Sequence, residues 1–235
     1  MEEISDIYSV RLERDELHRW IGGGLPKGSL VLIEGGLGTG KSILSQRLAF
    51  GFLSNEISCA YLSTEMPIKD FIKQMITLNY DVTSHLLGGD LFYASSFLTM
   101  SDAMRKRDPL MAILRNEHIL GMDAILLDSF DPLIYGVGRD QETVLQLTTA
   151  IKKLGKAEKV LIITADPERS DPALMASLRA VADVSIQLDA RQMASSLKRR
   201  MTIARFLRPG GRYTNMIGFR VEPGIGFVIE ISMVA

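Results

Sequence analysis

Cysteine occurs once in this chain, at position 59, so neither an internal disulfide nor a thiolate metal cluster can form. Its neighbours Ala60, Tyr61 and Leu62 read as a buried strand, which makes Cys59 an inert core thiol. Tryptophan also occurs once, and Trp20 reads as a core or interface anchor rather than a platform for stacked bases. His18, His85 and His118 stand far apart without metal-ligand spacing. Missing too is any uninterrupted apolar run near the roughly 18 residues that a bilayer span needs. The opening Met1-Glu2-Glu3 is acidic where a secretory signal would be basic and then apolar. The expectation is a cytoplasmic protein with no direct membrane insertion, reaching a membrane only through partners. An excess of charge is lacking as well: a formal net charge of −1 argues against a broad nucleic-acid footprint, a local basic stripe aside.

What is present is the composition of a folded protein. Apolar residues make up 46% and charged ones 23%, which excludes general disorder. A length of 235 residues suits one large domain over 1–235 that buries about 70–75% of its unfolded surface, with residues up to about Val10 as a loosely held arm. The 12 methionines are scattered through apolar segments and fill core or contact surfaces.

The stretch around which the chain is organised is Gly35-Gly36-Leu37-Gly38-Thr39-Gly40-Lys41-Ser42. It fits the pattern Gly, four residues, Gly-Lys-Ser, which a chain of this length meets by chance roughly once in a hundred sequences. Glycines let the backbone curl until successive N–H groups point into one concavity, a lysine brings a point charge to the outer phosphates, and a hydroxyl sits on Mg²⁺. The apolar run Leu30 to Ile33 before it, and Ile43, Leu44, Leu48 and Phe52 at helical spacing after it, predict a strand, the loop and a helix. That arrangement aims a helix N-terminus at phosphate. Residues 35 to 43 are therefore the candidate binding residues for ATP or ADP, with Ser42 as a Mg²⁺ ligand.

Further along, Cys59 to Leu62 reads as a second strand, and Ser63 or Thr64 as the cap of a helix with Pro67 at an early position and Phe71, Met75 and Leu78 on its inner face. Asp81 to Gly89 reads as a loop or short helix and Leu91 to Ala94 as a short strand. Asp102 to Glu117 reads as an amphipathic helix interrupted near Pro109, its Arg105, Lys106 and Arg107 a solvated face. Ala124-Ile125-Leu126-Leu127-Asp128 is a buried strand ending in an acid, the place from which a carboxylate holds Mg²⁺ through a water beside a phosphate loop. Thr143 to Leu154 reads as a helix, Val160 to Thr164 as a strand, Pro172 to Ala182 as a helix and Val184 to Leu188 as a strand. Such alternation implies a mostly parallel sheet with helices on both faces and a ligand at the carboxyl ends of its strands. The last third, Met201 to Leu207, Met216 to Val221 and Phe227 to Ile231, carries hairpin signals at Pro209-Gly210-Gly211 and Pro223-Gly224, so the sheet should end in antiparallel strands.

Gly22-Gly23-Gly24-Leu25-Pro26-Lys27-Gly28-Ser29 followed by the loop at 35–42 resembles the RecA-type ATPases of the KaiC group. Arg14-Asp15-Glu16-Leu17-His18, Phe71-Ile72-Lys73-Gln74-Met75, Asp128-Ser129, Phe219-Arg220-Val221-Glu222-Pro223 and Glu230-Ile231 extend the likeness to that group's ATP-binding accessory proteins of the archaeal swimming motor, the archaellum. The resemblance implies a RecA-like P-loop core that binds ATP and Mg²⁺ and assembles into a homo-oligomeric ring. It also implies docking at the cytoplasmic face of the membrane, beneath a motor ATPase of the FlaI type and a membrane-anchored ring scaffold of the FlaX or FlaC/D/E type. By position, Lys41 and Ser42 hold phosphate and metal, Asp128 the metal, and Glu65 the attacking water, although a glutamate at a helix start favoured by the dipole is the alternative there. KaiC-type rings place a Lys and an Arg on a late strand to reach a neighbour's γ-phosphate. Here Arg205 stands at the Lys position, Leu207 at the Arg position, and Arg208 one residue on, where strand alternation turns it to the other face. An incomplete finger costs roughly 10³ to 10⁵ in rate, so the resemblance implies slow or absent turnover.

Two other readings stay open. A strand-exchange or repair ATPase of the RecA or RadA kind needs basic and aromatic residues in the loops near 136–141 and 166–171, which carry Arg139 and Arg169 but also Asp140, Asp166, Glu168 and Asp171, and no aromatics. A signalling relative of the KaiC type would phosphorylate itself.

Overall fold

The computed structural model describes residues 6–95, 116–129, 149, 154–155, 157–193 and 196–230. The basic cluster 105–107, the loop 135–141 and nearly all of the helix expected at 143–154 lie outside them.

The strands, in chain order, are β1 (Ile7–Ser9), β2 (Gly24–Pro26), β3 (Leu30–Gly35), β4 (Cys59–Ser63), β5 (Leu91–Ser95), β6 (Ala124–Asp128), β7 (Val160–Ala165), β8 (Val184–Met193), β9 (Ser196–Phe206), β10 (Met216–Glu222) and β11 (Gly226–Glu230). Among the described residues the helices are α1 (Leu17–Trp20), α2 (Lys41–Leu53), α3 (Ile68–Thr77), α4 (Thr83–Gly88), α5 (Glu117–Gly121) and α6 (Pro172–Val181). Among the described residues, nine strands form one sheet in the order β11-β10-β9-β8-β3-β7-β6-β4-β5. From β8 to β5 every pairing is parallel, and β9, β10 and β11 continue it antiparallel. This is the expected mixed sheet, α/β with a RecA-like core.

Period-two alternation distributes the core between the two faces of the sheet. Val31, Ile33, Tyr61, Leu126 and Ile162 pack with Leu44, Leu48 and Phe52 of α2 and with Phe71 and Met75 of α3. Leu30, Leu32, Leu62, Leu127 and Ile163 pack on the opposite side with Leu174, Met175 and Leu178 of α6. Strands covered on both sides read as continuous apolar runs for this reason. Helix α6 starts cleanly: Asp171 Oδ1 accepts from the N–H groups of Ala173 and Leu174, and Pro172 takes the first turn.

Some expectations are corrected. The segment expected as a loose arm up to Val10 is tied down from Ile7: β1 pairs with β2, and Val10 is fully buried. Gly24 permits that pairing, since a Cβ there would stand 2.1 Å from the Tyr8 carbonyl oxygen. Neither Ser63 nor Thr64 caps α3. Ser63 Oγ instead accepts from the N–H groups of Glu65 and Met66, and Thr64 Oγ1 donates to the Ser129 carbonyl, which leaves Pro67 as the residue before the helix. Arg208 is not a strand residue on the opposite face, because β9 ends at Phe206 and Arg208 sits in a bend at φ +55°. Among the described residues, no helix is long and apolar enough to cross a membrane.

Candidate phosphate and metal site

The loop from Gly36 to Gly40 leaves the carboxyl end of β3 and runs into the first turn of α2. Gly38 and Gly40 have φ of +75° and +102°, left-handed values that glycine adopts without strain. Space is also needed at Gly40, where an added Cβ would press on the Phe219 ring at 3.2 Å. Thr39 Oγ1 donates to the Gly36 carbonyl at 2.8 Å and pins the curl from inside. Lys41 Nζ folds over the loop and donates to the carbonyls of Gly35 (2.7 Å) and Gly36 (2.9 Å). The result is a cationic group held above a ring of backbone, with Leu37 at the exposed tip.

Asp128 ends β6 and is brought to this loop by the sheet order. Its Oδ1 accepts from Ser42 Oγ at 3.1 Å and from Thr164 Oγ1 at 2.9 Å, and its Oδ2 accepts from Tyr61 Oη at 3.0 Å. Burial pushes the Asp128 carboxyl up from its ordinary value, against the hydrogen bonds from Thr164, Tyr61 and Ser42, which lower it; the charge of Glu65 adds to the rise. Burial and the neighbouring carboxylate likewise push the Tyr61 hydroxyl well up, so Tyr61 stays a donor. Ser129, next in the chain, takes φ +60°, a costly conformation for a residue with a side chain. Thr164 Oγ1 accepts from its N–H at 2.7 Å and Thr64 Oγ1 donates to its carbonyl at 2.7 Å, so both neighbouring strands hold it there.

Beside these groups lies a cleft of about 250 Å³ walled by Leu37, Gly38, Gly40, Lys41, Ser42, Ile43, Glu65, Ser129, Asp166, Arg169 and Arg199. Chemically it offers the N–H groups of a curled loop at a helix start, one lysine, and a hydroxyl beside a carboxylate. The first two suit phosphate oxygens. The hydroxyl and carboxylate suit a hard cation such as Mg²⁺, which takes oxygen ligands and keeps several waters. Tyr61 and Thr164 orient the carboxylate from behind.

Of the residues expected from sequence, 35 to 43, Asp128 and Glu65 come together here. Glu65 lies beyond the end of β4, next to the end of β6, and faces Arg169 Nη1 at 3.9 Å. Arg205 is elsewhere in its own chain. It pairs with Ser185, which pairs with Leu32, three residues before Gly35 and so about 10 Å down the sheet. Its Nη1 donates to the Ala180 carbonyl at 3.3 Å.

Sequence reading missed Arg199 and gave Arg169 no site role. Arg199 pairs with Ala190, two residues past the Leu188 that faces Gly35, which brings it level with the loop; its Nε donates to the Gly38 carbonyl at 3.4 Å. The signal was Lys198-Arg199-Arg200, a basic run that lies inside β9 once the strand is extended back to Ser196.

Known proteins resemble the chain along nearly all of it. The family described as ATPase: KaiC matches residues 13–230. The archaeal flagellar ATP-binding protein FlaH of Methanocaldococcus jannaschii is 35% identical over 232 residues, 99% of each chain. FlaH of Methanococcus voltae is 33% identical over 226 residues, 96% of this chain and 98% of its own. The crystal structure of flagellar accessory protein FlaH from M. jannaschii superposes with a TM-score of 0.89 at 35% identity, covering 96% of this chain and 100% of that one.

Proposed function

The chain belongs to the KaiC family of ATPases and, within it, to the FlaH group of archaeal flagellar ATP-binding proteins, and on that premise we propose that it binds ATP with Mg²⁺ and serves the archaellum as a nucleotide-switched assembly protein. The observation that carries the reading is the 3.1 Å contact between Ser42 Oγ and Asp128 Oδ1 directly under the phosphate loop. Residues 35 to 43 wrap the phosphates, and Lys41 turns from the loop carbonyls to the outer phosphate oxygens. Ser42 and Asp128 would hold the cation, Asp128 through water. Mg²⁺ would supply charge neutralisation of the phosphates there. Glu65 orients a water and accepts its proton.

Turnover is slow or absent in this reading. Leu207 occupies the position of the arginine that KaiC-type rings extend to a neighbour, and Arg208 is engaged with the Lys27 carbonyl at 3.2 Å and with Asp183 at 3.7 Å. Arg205 remains for a contact with a neighbouring copy in a homo-oligomeric ring. The ring docks at the cytoplasmic face of the membrane through the motor ATPase and the membrane-anchored scaffold, with ATP occupancy setting its affinity for them.

Calorimetric titration with ATP in Mg²⁺ tests the reading. Saturable binding by the wild type, weakened at least about tenfold in Lys41→Ala by loss of a charged hydrogen-bonding group, supports it. Absence of binding by the wild type overturns it.

A further inference from the structure

We infer that Arg169 is the residue through which this chain distinguishes a nucleoside triphosphate from a diphosphate, and that its resting partner is Glu65. The inference rests on the nucleotide-binding reading above and assigns the regulation of that site.

Arg169 is presented by a short, well-held turn. Asp166 follows β7 directly; its carbonyl accepts from the N–H groups of Arg169 (3.1 Å) and Ser170 (3.0 Å) and from Ser170 Oγ (2.8 Å), while its Oδ1 accepts from the Glu168 N–H. Asp166 and Ser170 are buried, so the turn is anchored and the Arg169 side chain projects from a rigid base. Because β7 lies beside β3, that base stands at the carboxyl end of the sheet, on the rim of the phosphate cleft. Glu65 faces it from the end of β4. Their charged groups are 3.9 Å apart, with side chains 59% and 52% exposed.

A pair so open to water is weak and breaks at little cost. A guanidinium, by contrast, matches the terminal phosphate of a triphosphate with two parallel donors. Arg169 therefore has two partners of unequal strength. With a diphosphate the ion pair to Glu65 persists; with a triphosphate Arg169 transfers to the terminal phosphate and Glu65 is released. Among the described residues, the other cations of the cleft have partners of their own: Lys41 sits on the loop carbonyls and Arg199 on that of Gly38.

Release of Glu65 reaches beyond the cleft. Ser63 Oγ holds the Glu65 and Met66 N–H groups, Tyr93 Oη donates to the Met66 carbonyl, and α3 begins two residues later at Ile68. Ile68 and Ile76 on α3 are 43% and 54% exposed. The ion pair thus links the terminal phosphate to the start of a helix with an apolar outer edge.

The test is calorimetry of the full chain with Mg²⁺ and either ADP or a non-hydrolysable ATP analogue. Variants are Arg169→Ala, Arg169→Lys, Glu65→Gln and Arg199→Ala, with thermal denaturation to show that each is folded. The wild type should prefer the triphosphate. Arg169→Ala should erase about tenfold or more of that preference, the size expected of a charge-assisted hydrogen bond, with ADP affinity unchanged. Arg169→Lys should restore part of it. Glu65→Gln should raise triphosphate affinity by no more than about fivefold, because the pair it removes is weak, and Arg199→Ala should weaken both nucleotides alike. Equal loss for both nucleotides in Arg169→Ala, or a triphosphate affinity lowered by Glu65→Gln, overturns the inference while leaving nucleotide binding intact. A wild type that binds neither nucleotide overturns both.

Discussion

Ser42 Oγ donates to Asp128 Oδ1 at 3.1 Å, joining the first turn of α2 to the end of β6 although 86 positions separate them in the chain. The contact defines where a cation would sit, and it predicts a specific dissection. Wild-type ATP affinity should fall when Mg²⁺ is chelated. Asp128→Ala should abolish that Mg²⁺ dependence while leaving metal-free binding within a few-fold, because residues 35 to 41 are untouched. Titrations with and without EDTA provide the measurement; a Mg²⁺ dependence unchanged in the variant would place the cation elsewhere.

On the same helix, Arg47 is fully buried. Its Nε donates to Asp15 Oδ2 at 2.9 Å and its Nη1 to the Val10 carbonyl at 2.7 Å. Removing one partner strands the other charge in the core. Asp15→Ala should therefore cost about 3–5 kcal/mol, which in a chain of this size lowers Tm by about 6–20 °C. Replacing the pair together by Leu and Met should cost less than that single change, a comparison that urea denaturation can make.

His18 lies near this pair. Burial first, then the charges of Arg47, Arg19 and Arg11, lower its pKa from 6.5, with Asp15 opposing. A lowered folded pKa means that the folded state favours the neutral ring. The associated stability is intact above the unfolded value of 6.5 and is lost as pH falls below it through the folded value. Between pH 8 and pH 5 the wild type should lose more Tm than His18→Gln; parallel curves would remove His18 from the account.

Local pattern made much of the site legible. The phosphate loop is contiguous, and Asp128 ends an apolar run, so each is visible within eight residues or fewer. The parallel core was legible because strands buried on both faces leave unbroken apolar runs. Arg199 and Arg169 were not, since their place at the cleft follows from strand order and register: β8 and β7 flank β3, and β9 runs back beside β8 with Ala190 opposite Arg199. No window of sequence contains that information. The early pairing of β1 with β2 escaped for a different reason, as strands of three residues leave no periodicity to read.

Nucleotide-dependent association is the most direct test of the central claim. Light scattering gives the mass of the wild type and of Lys41→Ala, each with and without Mg²⁺ and ATP, while phosphate release is followed in the same samples. The account predicts that ATP drives the wild type into a ring with slow release and that Lys41→Ala keeps the mass of the nucleotide-free chain. Phosphate released at enzyme-like rates whatever the assembly state would contradict it, and would make Glu65 and Asp128 parts of a working ATPase.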